Sequence, residues 1–333
     1  MTGCGSDDDE PVRVSVIGTD REISAPLTHA DTRAGQAMLG ASARGLVSVD
    51  ADGTVIPALA QRWIVVDDGK GYIFRLRRAR WAEGGRVDAR EVKRLLQARL
   101  RARLRLDPYG PLASVDQVVA MTDDVLELRL RAARPNFLAA LAVPEMAIAR
   151  DSGGSGPYHK RRMEEGVDDL WRLLPLDAVG KIDEEAPPQD TRLLRAERAA
   201  RAIVRFREGE IDLLLGGTVA ELPYLSIANV RDGFIRFDPV QGLFGLALSG
   251  SNPLLEEAEV RRALAMAIDR TAVVSGYSVS RWKNAEQILP QQLNLPHPPT
   301  PPDWAALPME RRRELAQDVV ARWRLRHHGA PFA

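Results

Sequence analysis

Cysteine is almost absent: Cys4 is the single one, so no intrachain disulfide can form and no cysteine zinc site is available. Long apolar runs are missing too; no segment approaches the ~20 residues that a membrane-spanning helix needs. Neither charge is in excess. Lys plus Arg and Asp plus Glu number 46 each, which leaves no net field to attract nucleic acid or an anionic membrane. Lysine is scarce, at Lys70, Lys93, Lys160, Lys181 and Lys283, and the other basic side chains are Arg interleaved with acids. Aromatic content is 5%, too low for a base-stacking platform. What is present is 333 residues, enough for two domains, with 45% hydrophobic content to build their cores.

The most informative stretch runs from Gly45 to Val92. Leu46, Val47 and Val49 form a short apolar run before Asp50-Ala51-Asp52-Gly53, where glycine can take positive φ in a turn. Trp63 to Val66 is a second apolar strand, ended by Asp67-Asp68-Gly69-Lys70-Gly71. Tyr72, Phe74 and Leu76 alternate with Ile73, Arg75 and Arg77, the period-2 pattern of a half-buried strand. Asp88 followed by Glu91 then predicts a capping box opening a helix with a stripe of Val92, Leu95, Leu96 and Leu100. By themselves these residues describe a small β-meander feeding a helix, and they contain no catalytic set.

Further along, Val12–Ile17 reads as a first strand and 34–43 as a helix. A hairpin is expected around Thr122-Asp123-Asp124, and Trp171–Leu176 as a strand. Thr191 is expected to cap a helix carrying Leu194, Ile203, Val204 and Phe206, ended by Gly209 and followed by the strand Ile211–Leu215. Gln241–Leu248 is read as a further strand, and Pro308 as the start of a helix through Leu315, Val319, Val320 and Trp323. Two apparent chemical motifs carry less than they promise. Asp151-Ser152-Gly153-Gly154 has the look of a serine-protease nucleophile loop, but the only histidine upstream, His29, lies in an unsuitable context and Arg150 replaces the expected glycine. His327-His328, at an exposed end with no partner carboxylate in view, is not read as a metal site.

The order of the pieces resembles the family 5 extracellular solute-binding proteins, the peptide- and nickel-binding components of ABC importers. The matching positions in the signature stretch are Gly45-Leu46, Asp50, Gly53, Pro57, Leu59-Ala60, Trp63, Asp68-Gly69, Tyr72, Phe74, Leu76-Arg77, Gly85, Ala89 and Val92. Gly154-Ser155-Gly156-Pro157-Tyr158 resembles the family's G-[ST]-G-P-Y element, Phe206 to Asp212 its G-E-I-D join, and Val260 to Arg270 its V-R-x-A-L-x-x-A-I-D-R helix. The resemblance implies an α/β fold, periplasmic binding protein-like (type II, cluster C), with domain II inserted in domain I and an incomplete domain III. The implied division is a lipoprotein-like tether over 1–11, domain I over 12–44 and 151–238, domain II over 45–150, and part of domain III over 239–333.

What the resemblance implies about function is binding without catalysis. A peptide or other small solute would lie in an interdomain cleft and be delivered to ABC permease subunits by a monomer, without a cofactor or metal. Ligand-contacting candidates are the loop at Thr19 and Asp20, Tyr158 near the hinge, and Phe244. Met1-Thr2-Gly3-Cys4 resembles the tail of a lipoprotein signal, which implies a periplasmic or cell-envelope location with a lipid anchor at Cys4. The charged and apolar regions of an export signal are not in the given chain. Two alternatives stand beside this reading: a truncated or degenerate solute-binding protein without ligand binding, and a cytoplasmic ligand-sensing protein using the same domain.

Overall fold

The computed structural model describes residues 10–163, 169–177, 180–238, 243–248, 252–277, 282–289 and 297–327. Cys4, Gln241, Gly242 and His328 lie outside the described residues. The chain divides into two compact units, Met1–Ile235 and Arg236–Ala333.

In the first unit the elements run β1 (Val12–Ile17), α1 (Asp20–Ser24), α2 (Arg33–Ser42), β2 (Val47–Val49), β3 (Val55–Pro57), β4 (Ala60–Val66) and β5 (Gly71–Leu76). There follow α3 (Ala89–Leu106), β6 (Val115–Ala120), β7 (Val125–Leu130), α4 (Phe137–Leu141), β8 (Ala149–Arg150) and β9 (Gly153–Gly154). The unit closes with β10 (Tyr158–Arg162), β11 (Trp171–Pro175), β12 (Arg192–Glu197), α5 (Ala199–Arg207), β13 (Leu213–Leu215) and α6 (Leu222–Ile227).

Two main sheets result. One has the order β10-β11-β12-β1-β13, with β1 parallel to both β12 and β13 and an antiparallel hairpin, β10–β11, at its other edge. Val14, Ser15 and Val16 are all buried, as expected of a central parallel strand covered on both faces. Ile23 of α1 and Ala34 and Met38 of α2 pack on Val14 and Val16 together with Leu173 and Leu194. Thr32 caps α2, its hydroxyl accepting the Gly35 N–H at 3.1 Å.

The second sheet, β4-β5-β7-β6, is antiparallel. Its centre is the strand predicted from alternation: Tyr72, Phe74 and Leu76 are buried against Leu126 and Leu128, while Arg75 faces solvent. Val92, Leu96 and Leu100 of α3 complete that core. Asp88 caps α3 as expected, accepting from Arg90 N–H at 2.9 Å and Glu91 N–H at 3.0 Å. The second half of the expected capping box is replaced. The Glu91 carboxylate turns instead to Arg150, at 3.0 and 2.5 Å, because that guanidinium offers two charged donors where the helix start offers one amide.

The two sheets are joined where the chain crosses between them twice. Gly154 and Gly156 press against the first crossing: a Cβ on Gly154 would stand 2.7 Å from Ala43 Cα, and one on Gly156 would stand 2.3 Å from the Ser42 carbonyl carbon. The Gly-Ser-Gly-Pro-Tyr element is therefore a close-packing requirement. Arg150, beside it, binds Glu91 and Glu83, and the Ser152 hydroxyl donates to Glu83 at 2.6 Å. Glu91 is held below the usual carboxylate range, first by the Arg150 hydrogen bonds, with burial acting in the opposite direction. Glu83 is lowered as well, first by Ser152 and then, after an opposing burial effect, by Arg150. A depressed carboxylate contributes stability above its unfolded value, near ~4.3, and loses it as the pH falls through the folded value. Arg150→Met is expected to cost about 2 kcal/mol at neutral pH. It should also flatten the fall of stability on acidification, read from urea denaturation at several pH values.

One expected helix start is corrected. Thr191 caps no helix; it precedes the strand β12, and Leu194 packs in the sheet beside Val14. Pairing with β1 overrides the helical look of Arg-Leu-Leu-Arg-Ala-Glu, so the helix begins only at Ala199. It ends where expected, with Gly209 at φ 74°.

The second unit holds α7 (Pro253–Glu256), α8 (Ala258–Ala267), α9 (Arg270–Ser275) and α10 (Met309–Arg326). Ala263 and Met266 of α8 form a core with Trp304 and Ala316. The expected strand is not formed: residues 243–248 take no sheet partner among the described residues, and Leu246 is 82% exposed. His327 does have a carboxylate partner, contrary to the sequence reading: Glu257, at 3.0 Å, also accepts from Arg326 at 2.8 Å.

Candidate functional site

In open α/β sheets ligands lie beyond the carboxyl ends of the strands, where successive loops diverge. Here β12, β1 and β13 are parallel and present three such ends side by side: Glu197, Gly18 to Asp20, and Gly216 to Thr218. The Gly18 N–H donates to the Glu197 carbonyl at 3.1 Å, tying two of the loops together. Gly18, at φ 158°, lies extended with no room for a side chain: a Cβ would stand 2.5 Å from Glu22 Oε2 and 2.6 Å from Ala34 Cβ. Gly216 sits at φ 82° in the left-handed region, close over Arg33 and Val16. Thr19, Gly217 and Thr218 are exposed.

Beneath this face lies a buried polar centre. The Ser15 hydroxyl donates to Glu197 Oε1 at 2.5 Å, and Arg205 Nε approaches Glu197 Oε2 at 3.2 Å. A hydroxyl inside a sheet core needs such a partner, and Glu197 supplies it from the neighbouring strand. The centre fixes the ends of β1 and β12 relative to each other.

The sequence-derived candidates fall in three places. Thr19 opens α1, and its N–H donates to Glu22 Oε2 at 2.7 Å. Asp20 accepts from Ser24 Oγ at 3.1 Å, Arg162 Nη2 at 3.0 Å and Trp171 Nε1 at 3.3 Å, which binds α1 to the β10–β11 hairpin. Tyr158 is at the other end of the same sheet. The register pairs it with Pro175, beyond the Leu173–Arg192–Val12 row at the amino end of β1, and the Arg192 guanidinium lies 5.8 Å from its ring centroid. Phe244 belongs to the second unit, where it meets Tyr277 at 5.6 Å and Trp282 at 5.7 Å between centroids. Thr19 and Asp20 thus share the carboxyl-end face, and Tyr158 does not. Sequence reading passed over Glu197 and the 216–218 loop. The signal for the loop was the Gly216-Gly217 pair directly after three leucines.

A separate cavity of about 180 Å³ lies under residues 24–28 and is lined also by Ser42, Arg150, Asp151 and Lys160. Burial pushes the Lys160 ammonium below the usual lysine range, with Asp151 opposing. This space is below the ~300–1,000 Å³ of ordinary ligand pockets. Among the described residues no cluster of three or more His, Cys, Asp or Glu side chains could hold a metal, and no helix is long and apolar enough to cross a membrane.

Comparison with known proteins agrees with this architecture. The chain is 27% identical over 260 residues to the probable deoxycholate-binding periplasmic protein YgiS of Escherichia coli K12, a match covering 69% of this chain and 48% of that protein. It is 27% identical over 266 residues to the nickel-binding periplasmic protein of the same organism, covering 69% and 46%. The chain therefore spans about half the length of the curated relatives it matches. The solved structure of OppA from Burkholderia pseudomallei is similar with a TM-score of 0.65 at 19% identity, over 95% of this chain and 67% of that one. The fold is that of the periplasmic binding proteins. The signature of the bacterial extracellular solute-binding proteins, family 5, middle region, matches residues 54–321, and the chain belongs to that family.

Proposed function

We propose that the chain is the solute-binding component of an ABC importer and takes a peptide-like or other small solute without transforming it. The observation that carries this reading is the shared face at the carboxyl ends of β12, β1 and β13, where the exposed residues Thr19, Gly217 and Thr218 lie above the buried Ser15–Glu197 centre. Extended peptides are recognised largely through backbone hydrogen bonds, with wet pockets for side chains, and under this proposal the loops at these strand ends would offer them. Relatives named for deoxycholate, nickel and oligopeptides support the class of small solute and leave three chemistries to compare. Within this proposal 12–44 and 151–238 form one domain, 45–150 is inserted into it, and 239–333 belongs to a third. The periplasmic names of the relatives support a cell-envelope location; within the proposal Cys4 is the lipid attachment point.

Thermal-shift titration with di- to oligopeptides, nickel–histidine and deoxycholate tests the reading. One class is expected to raise Tm saturably, following the linkage of stability to ligand concentration. Thr19→Ala should weaken that response, over and above the small loss of ligand-free stability that follows from removing the N-cap hydroxyl of α1. A cooperative melt that no ligand shifts would contradict the proposal.

A further inference from the structure

Arg44 and Arg77 form a pair that the solute-binding reading does not use. Both side chains are half-buried. Backbone hydrogen bonds place their main chains on the two flanks of Leu59: Leu59 N–H donates to Gly45 O at 2.9 Å and Arg77 N–H to Leu59 O at 3.0 Å, while Ile148 N–H donates to Arg44 O at 3.0 Å. These three bonds fix the positions of the two backbones in the first unit. The Arg77 Nε is shut off from solvent and has no acceptor. Among the described residues no carboxylate forms an ion pair with either guanidinium, in contrast to the half-buried Arg150 and Arg205 of the same unit. Burial, and after it the charge of Arg77, depresses the Arg44 guanidinium.

Two like charges, partly withdrawn from water and unpaired, are unfavourable unless a counter-charge joins them. A guanidinium presents planar, forked donors that match an oxyanion, and two together can bind one from both sides. We propose that Arg44 and Arg77 form a binding site for a small oxyanion, a carboxylate or a phosphate. Neither residue belongs to the Gly18–Asp20 and Gly216–Thr218 face, so the site stands or falls independently of the transported solute. Its occupant would neutralise the seam where the chain passes from the first sheet to the second.

The test is a melt of the full chain at constant ionic strength, with acetate or inorganic phosphate replacing chloride. The wild type is expected to gain Tm saturably with at least one of them, and the more effective one identifies the source chemistry. Arg44→Glu should melt higher than the wild type in chloride, since the introduced carboxylate gives Arg77 a partner, and should lose the anion response. Arg44→Met separates the two effects: affinity for the effective anion should fall at least about tenfold through loss of one charged fork. A wild-type melt identical in all three anions would overturn the proposal, as would a response that persists undiminished in both variants.

Discussion

Trp81→Ala is expected to lower the stability of the first unit by about 3–5 kcal/mol, the cost of emptying a large aromatic site in a core. Trp81 is fully buried and is among the largest side chains in that condition. Its surroundings cannot collapse easily. Its own backbone is pinned by hydrogen bonds from Trp81 N–H to Gly85 O at 2.8 Å and from Gly84 N–H to Trp81 O at 2.8 Å. Gly84, at φ 96°, holds that turn in a conformation few other residues adopt. On one side the Arg150 guanidinium stands 4.8 Å from the ring centroid, so the substitution also removes a cation–π contact and loosens the Arg150–Glu83–Glu91 cluster. Trp81→Phe keeps an aromatic face and should cost clearly less. Urea denaturation followed by far-ultraviolet circular dichroism reads the difference, and a loss below about 1 kcal/mol for the alanine variant would mean that the site relaxes.

Glu197→Ala should cost about 3 kcal/mol for a different reason. The side chain of Glu197 is 7% exposed and that of Arg205 17%, while Ser15 is completely buried. Deleting the carboxylate leaves a hydroxyl and a guanidinium facing an apolar interior, although Arg205 retains Glu210 at 3.3 Å. Glu197→Gln keeps an acceptor for Ser15 and loses only the charge, so its loss should be intermediate. A double-mutant cycle with Ser15→Ala should show a coupling of about 1 kcal/mol, since the two share one hydrogen bond. Additive losses would mean that Ser15 is satisfied elsewhere.

These two centres differ in how much of them the sequence reveals. The second sheet is written locally: alternation at Tyr72, Phe74 and Leu76, the Asp88 cap and the apolar stripe of α3 lie within a few turns of one another, so short-range rules reach them. Gly154 and Gly156 are legible as punctuation, but their reason, contact with Ser42 and Ala43, is not. Residues 192–197 were misread because nothing local distinguishes their strand from a helix. Their state is set by β1, and the Ser15–Glu197 bond that fastens the two spans 182 residues. The same holds for Glu91, whose partner Arg150 is 59 residues away, and for His327 and Glu257, 70 apart. The candidate face shared this fate. Thr19 and Asp20 follow a recognisable strand, but their neighbours Glu197 and Gly216 to Thr218 arrive from distant sequence, and the separation of Tyr158 from them appears only in the register of the hairpin.

Amide hydrogen exchange of the full chain, with and without the solute that most raises its Tm, tests the central claim most directly. If a solute rests on the carboxyl ends of the parallel strands, protection should appear at residues 18–20 and 216–218 and leave the 45–66 segment unchanged. Protection confined to other segments, with none at those two loops, would contradict the account.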